Sequence, residues 1–344
     1  GSAWFRVSEE GYGFTVMTDQ LNLVDLGTEF GVMVDANSQL EVHVEKGRVR
    51  GEPLQATKEE FELLAGSAMS VDETGQMTPM VANSGRFSKT LPPVLRYIHW
   101  SFDSLVDGAY AAEGTVPDLH RYVARLRHLD GSKATTDPAA FAVSGRFGKA
   151  FSMDGGGVFA DTEFPGIEGD TPRTIAAWIR HRKGAALERG SAPYCTWGTR
   201  EPGRLWKMVF AERGGSISRN ADVIYTSAMD STVFTKMPAG FREDEWVHVA
   251  SVYTGRSHDG YPEVFHYLNG VKQPTQNYER RREVNTDTSS GEARPLRFGA
   301  SLNSMEDSPT VNGDLDEFYL IRTALDEVQI RQIMETNRID SIVD

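Results

Sequence analysis

The run from Trp246 to Arg322 constrains the fold of this chain more than any other segment. It reads W-V-H-V-A-S-V-Y, then V-F-H-Y-L-N-G, L-R-F-G-A-S and G-D-L-D-E-F-Y-L-I-R. Each phrase is a short stretch of β-branched, aromatic or alternating apolar residues closed by turn residues. Asn269-Gly270 is the clearest of these turns, a dipeptide suited to a tight hairpin. The succession predicts stacked antiparallel strands and a shallow, broad sheet face. Such a face suits binding better than it suits a deep catalytic pocket.

The same grammar governs the N-terminal part. Phe14–Thr18, Leu21–Asp25, Glu29–Val34 and Leu40–Val44 read as strands. In the last, Leu40, Val42 and Val44 share one face while Glu41, His43 and Glu45 share the other. Asp35 to Ser38 is the intervening turn, and Lys46-Gly47 closes the next strand. From Glu60 to Val71 a capping box on Thr57 and Glu60 competes with a strand and turn through Phe61–Ala65-Gly66, and the strand reading is preferred. Residues 72–93, ending in Leu91-Pro92-Pro93, read as an interdomain linker. The β pattern resumes at Tyr97. A single helix is expected near the end, capped by Asp326 with Gln329 three residues on and an apolar stripe of Ile330, Ile333 and Met334.

Charge narrows the partners. With 36 basic against 49 acidic residues the net charge is −13, which disfavours nucleic acid and anionic membranes as main partners. Cys195 is the single cysteine, so no disulfide forms within the chain. No run of about 18 apolar residues is present to span a membrane. The Gly1-Ser2 start has the look of an added leader, with natural sequence expected upstream.

Two resemblances follow from these phrases. The segment 95–337 resembles the laminin G-like jellyrolls of the concanavalin A-like lectin and glucanase superfamily. The phrases that carry it are His99–Asp103, Gly148–Gly155, Thr174–Ile179, Trp246–Ala250, Tyr267–Gly270, Leu296–Gly299 and Gly313–Glu317, followed by Leu325–Ile330. Residues 3–80 resemble part of the FecR family of transmembrane signal regulators, through Phe14–Thr18, Val24-Asp-Leu-Gly-Thr-Glu-Phe30 and Val42–Val49. Residues 81–94 are then the linker. Together the resemblances imply an all-β protein: a small β domain, then a two-sheet jellyroll sandwich with one short C-terminal helix. They imply the extracytoplasmic part of a membrane-anchored, anti-sigma-factor type regulator, periplasmic or at the cell surface. Its membrane segment and a cytoplasmic sigma-factor partner would lie beyond this chain. The jellyroll would bind a carbohydrate or an envelope protein. The alternatives are a polysaccharide-active glycoside hydrolase and a structural envelope or adhesion protein.

Several residues are candidates for chemistry. Asp314 and Asp316 project to one side of a strand, with Glu317 on the other, as the carboxylates of a glucanase would. The third acid of the glucanase pattern is missing, so no catalytic residue is assigned. Asp316 with Asp103 could instead hold calcium between the first and last jellyroll strands, as related jellyrolls do, or both could cap turns and accept backbone hydrogen bonds. Trp197, Arg200, Tyr194, Tyr225 and Tyr261 are candidate ligand contacts near strand ends. Trp206, Met208 and Phe210 alternate toward the core with Lys207 opposite. His248 and His266 read as structural, Gly155–Gly157 as a turn, Cys195 as a buried thiol and Arg280–Arg282 as a solvated loop.

Overall fold

A computed structural model describes all residues except 9–10, 36–37, 56–57, 88–94, 131–137, 183–191, 213–216, 218–220, 239–243, 279–282, 303–308 and 340–344. The Ala36-Asn37 turn, Thr57 of the alternative capping box, the Leu91–Pro93 stretch and Arg280–Arg282 therefore lie outside the described residues. The chain divides into two compact units, Gly1–Pro93 and Val94–Asp344.

The first unit is two antiparallel sheets facing one core. The five-stranded sheet places Glu29–Val34 and Leu40–Lys46 at its centre, and the four-stranded sheet runs through Leu21–Asp25 and Arg48–Pro53. Phe30, Val42 and Val44 from one sheet meet Leu21, Leu23 and Val49 from the other, all fully buried. Period-2 alternation therefore does what the sequence predicts for Leu40, Val42 and Val44. The strand reading of 60–71 also holds, as Phe61–Leu64 and Ser67–Val71 joined through Ala65-Gly66. The Val-Asp-Leu-Gly-Thr phrase is a turn: Asp25 accepts the backbone N–H groups of Gly27 and Thr28 at 2.9 and 2.8 Å. Gly47 comes so close to the Gly27 carbonyl that a Cβ there would collide with it. The two halves of the phrase are thus one packing unit.

The linker is shorter than the sequence suggested. Met77–Val81 pairs with Ser67–Val71 as an edge strand. Phe87 is buried, with its ring 5.6 Å from Trp4 and 5.3 Å from His43. Residues up to Phe87 belong to the first unit because that aromatic needs cover.

The second unit is a sandwich of a nine-stranded and a ten-stranded antiparallel sheet. Asn312–Ile321 lies inside the nine-stranded sheet, between Tyr97–Trp100 and Lys149–Asp154 on one side and Arg173–His181 on the other. The Asn269-Gly270 hairpin forms as predicted, with φ of 48° and 76°. Between the sheets lie Trp100, Phe151, Leu315 and Phe318 from one side and Cys195, Trp197, Trp206, Met208 and Phe298 from the other. His266 also stitches the layers, with Nε2 3.0 Å from the hydroxyl of Thr226 on the ten-stranded sheet. Helix Glu327–Thr336 starts in the predicted capping box. Its Ile330 and Ile333 pack on Ala176, Ala250, Tyr319 and Ile321, which covers part of the outer face of the nine-stranded sheet. No helix among the described residues is long and apolar enough to cross a membrane.

Candidate functional site

The two outer faces of the sandwich differ, and that difference locates the candidate site. On the nine-stranded sheet the outer face is largely closed by the C-terminal helix and by the hairpin loop of Ala142–Ser144 and Lys149–Asp154. Asp314 and Asp316 lie there, both fully buried. Arg180 Nε donates to Asp314 Oδ2 at 2.6 Å, and Arg182 reaches the other oxygen. Asp316 Oδ2 accepts the backbone N–H groups of Arg146 and Phe147 at 2.7 and 3.0 Å. Burial pushes its carboxyl up to about 7, against the lowering effect of those N–H groups. Glu317 does not take the opposite face as predicted. It sits at a bulge with φ of 49° and turns toward His99, whose Nε2 is 2.6 Å from Oε2. Two enclosed, engaged carboxylates are not the open, facing pair that glycoside hydrolysis requires.

The structure brings Asp103 and Asp316 to the same hairpin loop, as the calcium expectation required. What they meet there is mostly N–H: Lys149 N donates to Asp103 Oδ1 at 2.7 Å. Gly148, with φ of 50°, lies against that carboxylate so closely that no Cβ fits. Asp316 Oδ1 has no hydrogen-bond partner. Among the described residues no three His, Cys, Asp or Glu side chains group as a metal site. Two carboxylates alone fall short of the six to eight oxygens that calcium takes, so backbone carbonyls or water would have to complete its shell.

The sequence-derived ligand contacts scatter. Trp197 is fully buried and donates its indole N–H to the Ile167 carbonyl at 3.2 Å, so it is core rather than a sugar-stacking platform. Tyr194 is also core, because a bulge between Pro193 and Cys195 lets both neighbours face inward. Burial accordingly raises the Tyr194 phenol and the Cys195 thiol. Tyr261 belongs to the nine-stranded sheet, opposite His258. Tyr225 is buried on the outer side of the ten-stranded sheet beneath the Lys207 amine, 5.5 Å from its ring. Arg200 is exposed on the turn after that sheet's Pro193–Gly198 strand.

That outer side of the ten-stranded sheet is exposed at the end where Arg125 and Arg127 lie, and buried from Thr196 across Val209, Tyr225 and Phe234. Strand register lines up Arg125, Asp161, Arg297, Thr196 and Lys207 in one row across five strands. The neighbouring row, Leu126, Ala160, Phe298, Cys195 and Met208, faces the core, as period 2 demands. Two cavities open on the outer row. One, of about 510 Å³, is lined by Arg125, Arg127, Asp161, Glu163, Arg294 and Arg297 among others. The second, of about 300 Å³, is lined by Thr196, Arg200, Lys207 and Met229 and shares Leu302 with the first. Arg297 is anchored within this floor. Its Nε and Nη2 donate to Asp161 at 2.6 and 3.1 Å, its Nη1 to the Ser301 carbonyl at 3.0 Å, and its guanidinium lies 4.3 Å from the Phe159 ring centre. At the far end, Val209, Val223 and Phe234 form an apolar cluster against which Ile217 and Tyr278 pack. Asp287 accepts from Thr199 at 2.6 Å and pairs with Arg204 at 2.9 Å, and hydrogen bonds from Ser290 and Thr199 hold its carboxyl well below the usual range.

Sequence reasoning missed this row. Ala124-Arg-Leu-Arg-His128 carries the alternation that puts two arginines outside, but isolated cations on a strand look like ordinary solvated surface. Only the register gathers them.

No protein-family model matches the chain, and no curated protein matches it. Among solved structures, domain 4 of AbnA, a GH43 extracellular arabinanase from Geobacillus stearothermophilus, solved with arabinotriose, is similar at 14% identity. The match covers 70% of this chain and 98% of that one, with a TM-score of 0.46. The botulinum neurotoxin type G receptor-binding domain aligns over 70% of this chain and 51% of its own, at 11% identity and a TM-score of 0.40. A candidate anti-sigma factor from Parabacteroides distasonis aligns at 26% identity over 24% of this chain and 39% of its own, with a TM-score of 0.22. Likenesses this distant bear on neither ligand nor activity.

Proposed function

We propose that the second unit is a non-enzymatic carbohydrate-capture module and that its binding face is the open outer side of the ten-stranded sheet. One observation carries this reading. Of the two outer faces, one is closed by a helix and a hairpin, while the other exposes a polar groove of two adjoining cavities. Their sizes suit small polar ligands or a few sugar units. The polar lining favours a hydroxyl-rich ligand over an apolar protein surface. Resemblance of the first unit to part of the FecR domain adds the role: the extracytoplasmic, membrane-tethered half of a sigma-factor regulator, for which capture is the input. The intact chain tested on a broad glycan array should bind one oligosaccharide class reproducibly. Binding to none, alongside retention of an envelope protein, would replace this reading with the adhesion one.

A further inference from the structure

The groove is more basic than the chain that carries it. The chain is −13 overall, yet Arg125, Arg127 and Arg294 all line the larger cavity. The side chains of these three make no hydrogen bond or ion pair with any described residue. All three are exposed. Asp161 does not neutralise them, because both its oxygens are engaged by Arg297. Among the described residues Glu163 is the one other acid lining the cavity, and it leaves a positive excess. Lys207 and Arg200 extend the same sign into the adjoining cavity.

Spacing converts this excess into a recognition pattern. Arg125 and Arg127 are two residues apart on one strand and project from the same face, about 7 Å apart at the backbone. Arg125 and Arg297 are separated by two strand spacings, about 10 Å. Guanidinium groups present planar N–H forks that match carboxylates and sulfates two bonds at a time. With Glu163 the one acid among the described lining residues that Arg297 does not engage, they repel one another modestly, and an anion between them relieves that repulsion.

We infer that the ligand captured in this groove is an anionic polysaccharide, bearing carboxylate or sulfate groups that Arg125, Arg127 and Arg294 bind. The inference rests on the carbohydrate-capture reading and names its ligand class. An acidic polypeptide is the less suitable occupant. The strands beneath the cavity are paired on both sides and offer no free edge for strand addition. Val123, Pro295 and Leu302 are the apolar lining, without an aromatic anchor. Nucleic acid is disfavoured by the same lack of exposed aromatics for base stacking and by the acidic whole.

The test uses matched polymers on the intact chain. Polygalacturonate is compared with its methyl ester, and dextran sulfate with dextran; polyglutamate and single-stranded DNA are controls. One charged glycan should bind at least about tenfold more tightly than its neutral match, a gap of about 1.4 kcal/mol. The gap should shrink between about 0.1 M and about 1 M salt, as the screening length falls from about 10 to about 3 Å. The variant Arg125→Gln/Arg127→Gln/Arg294→Gln, whose changes are exposed, should keep its unfolding midpoint and lose the preference. Equal binding to neutral and charged forms, unmoved by the variant, overturns the inference and leaves the carbohydrate reading standing. Binding only to polyglutamate or DNA, or to no polymer at all, overturns both.

Discussion

Individual side chains in this protein take their roles from burial. Trp197 looked like a candidate for sugar stacking because Gly198 and Arg200 follow it, yet it sits in the core beside Trp206. Trp197→Ala should therefore cost about 3–5 kcal/mol of stability, read by urea unfolding, because it opens a cavity between the sheets. His248 and His266 were legible as structural histidines, and burial lowers both to about 3. The sign of the resulting pH dependence is fixed. Their folded-state values lie below the unfolded value of about 6.5. Their contribution is therefore complete above that pH and lost as the pH falls from about 6.5 toward 3. At about pH 4.5 the solution lies about two units below each histidine's unfolded value, a loss on the order of 2–3 kcal/mol per histidine. A denaturation series across that range should show the slope, and the variant His248→Gln/His266→Gln should lack most of it. An unchanged slope would assign the acid sensitivity to other groups.

At the scale of elements, pattern and register separate what was readable from what was not. Hairpins marked by Asn269-Gly270 and Ala65-Gly66, the alternation of Leu40–Val44 and the Asp326–Gln329 capping box were all legible, because each is a local rule acting within a few residues. The bulges at Glu317 and near Tyr194 were not, since a single extra residue reverses which face a side chain takes and leaves no mark in composition. The linker reading of 72–93 missed Met77–Val81 and Phe87 for a similar reason: both are held by distant partners. The Asp103–Asp316 pair shows both outcomes. Its proximity was foreseen from the order of the jellyroll phrases, while the N–H groups it accepts depend on the hairpin's own turn. Gly148→Ala should accordingly destabilise the second unit by on the order of 2 kcal/mol, because the new Cβ meets the Asp103 carboxylate and φ is positive. A thermal melt of the variant that matches the parent would remove the clamp from the account.

At the scale of the whole molecule, the sheets are scaffolds and the outer row through Arg125, Asp161 and Arg297 is the proposed binding surface. None of that row was visible in sequence, since five strands contribute one residue each and the chain order scrambles them. The carboxylates around the hairpin loop serve as hydrogen-bond acceptors, so removing divalent cations with a chelator should leave the thermal midpoint unchanged. A fall in the midpoint would show that an ion stabilises the folded state. The central claim is that the ten-stranded sheet, and not the nine-stranded one, presents the carbohydrate-binding face. Calorimetric titration of the intact chain with its best array oligosaccharide tests it directly. Lys207→Ala and Arg125→Ala, on the open face, should each weaken binding by about tenfold, while Trp246→Ala, on the covered face, should change it less than about twofold. Loss of binding in the Trp246 variant with full binding in the other two would contradict the account.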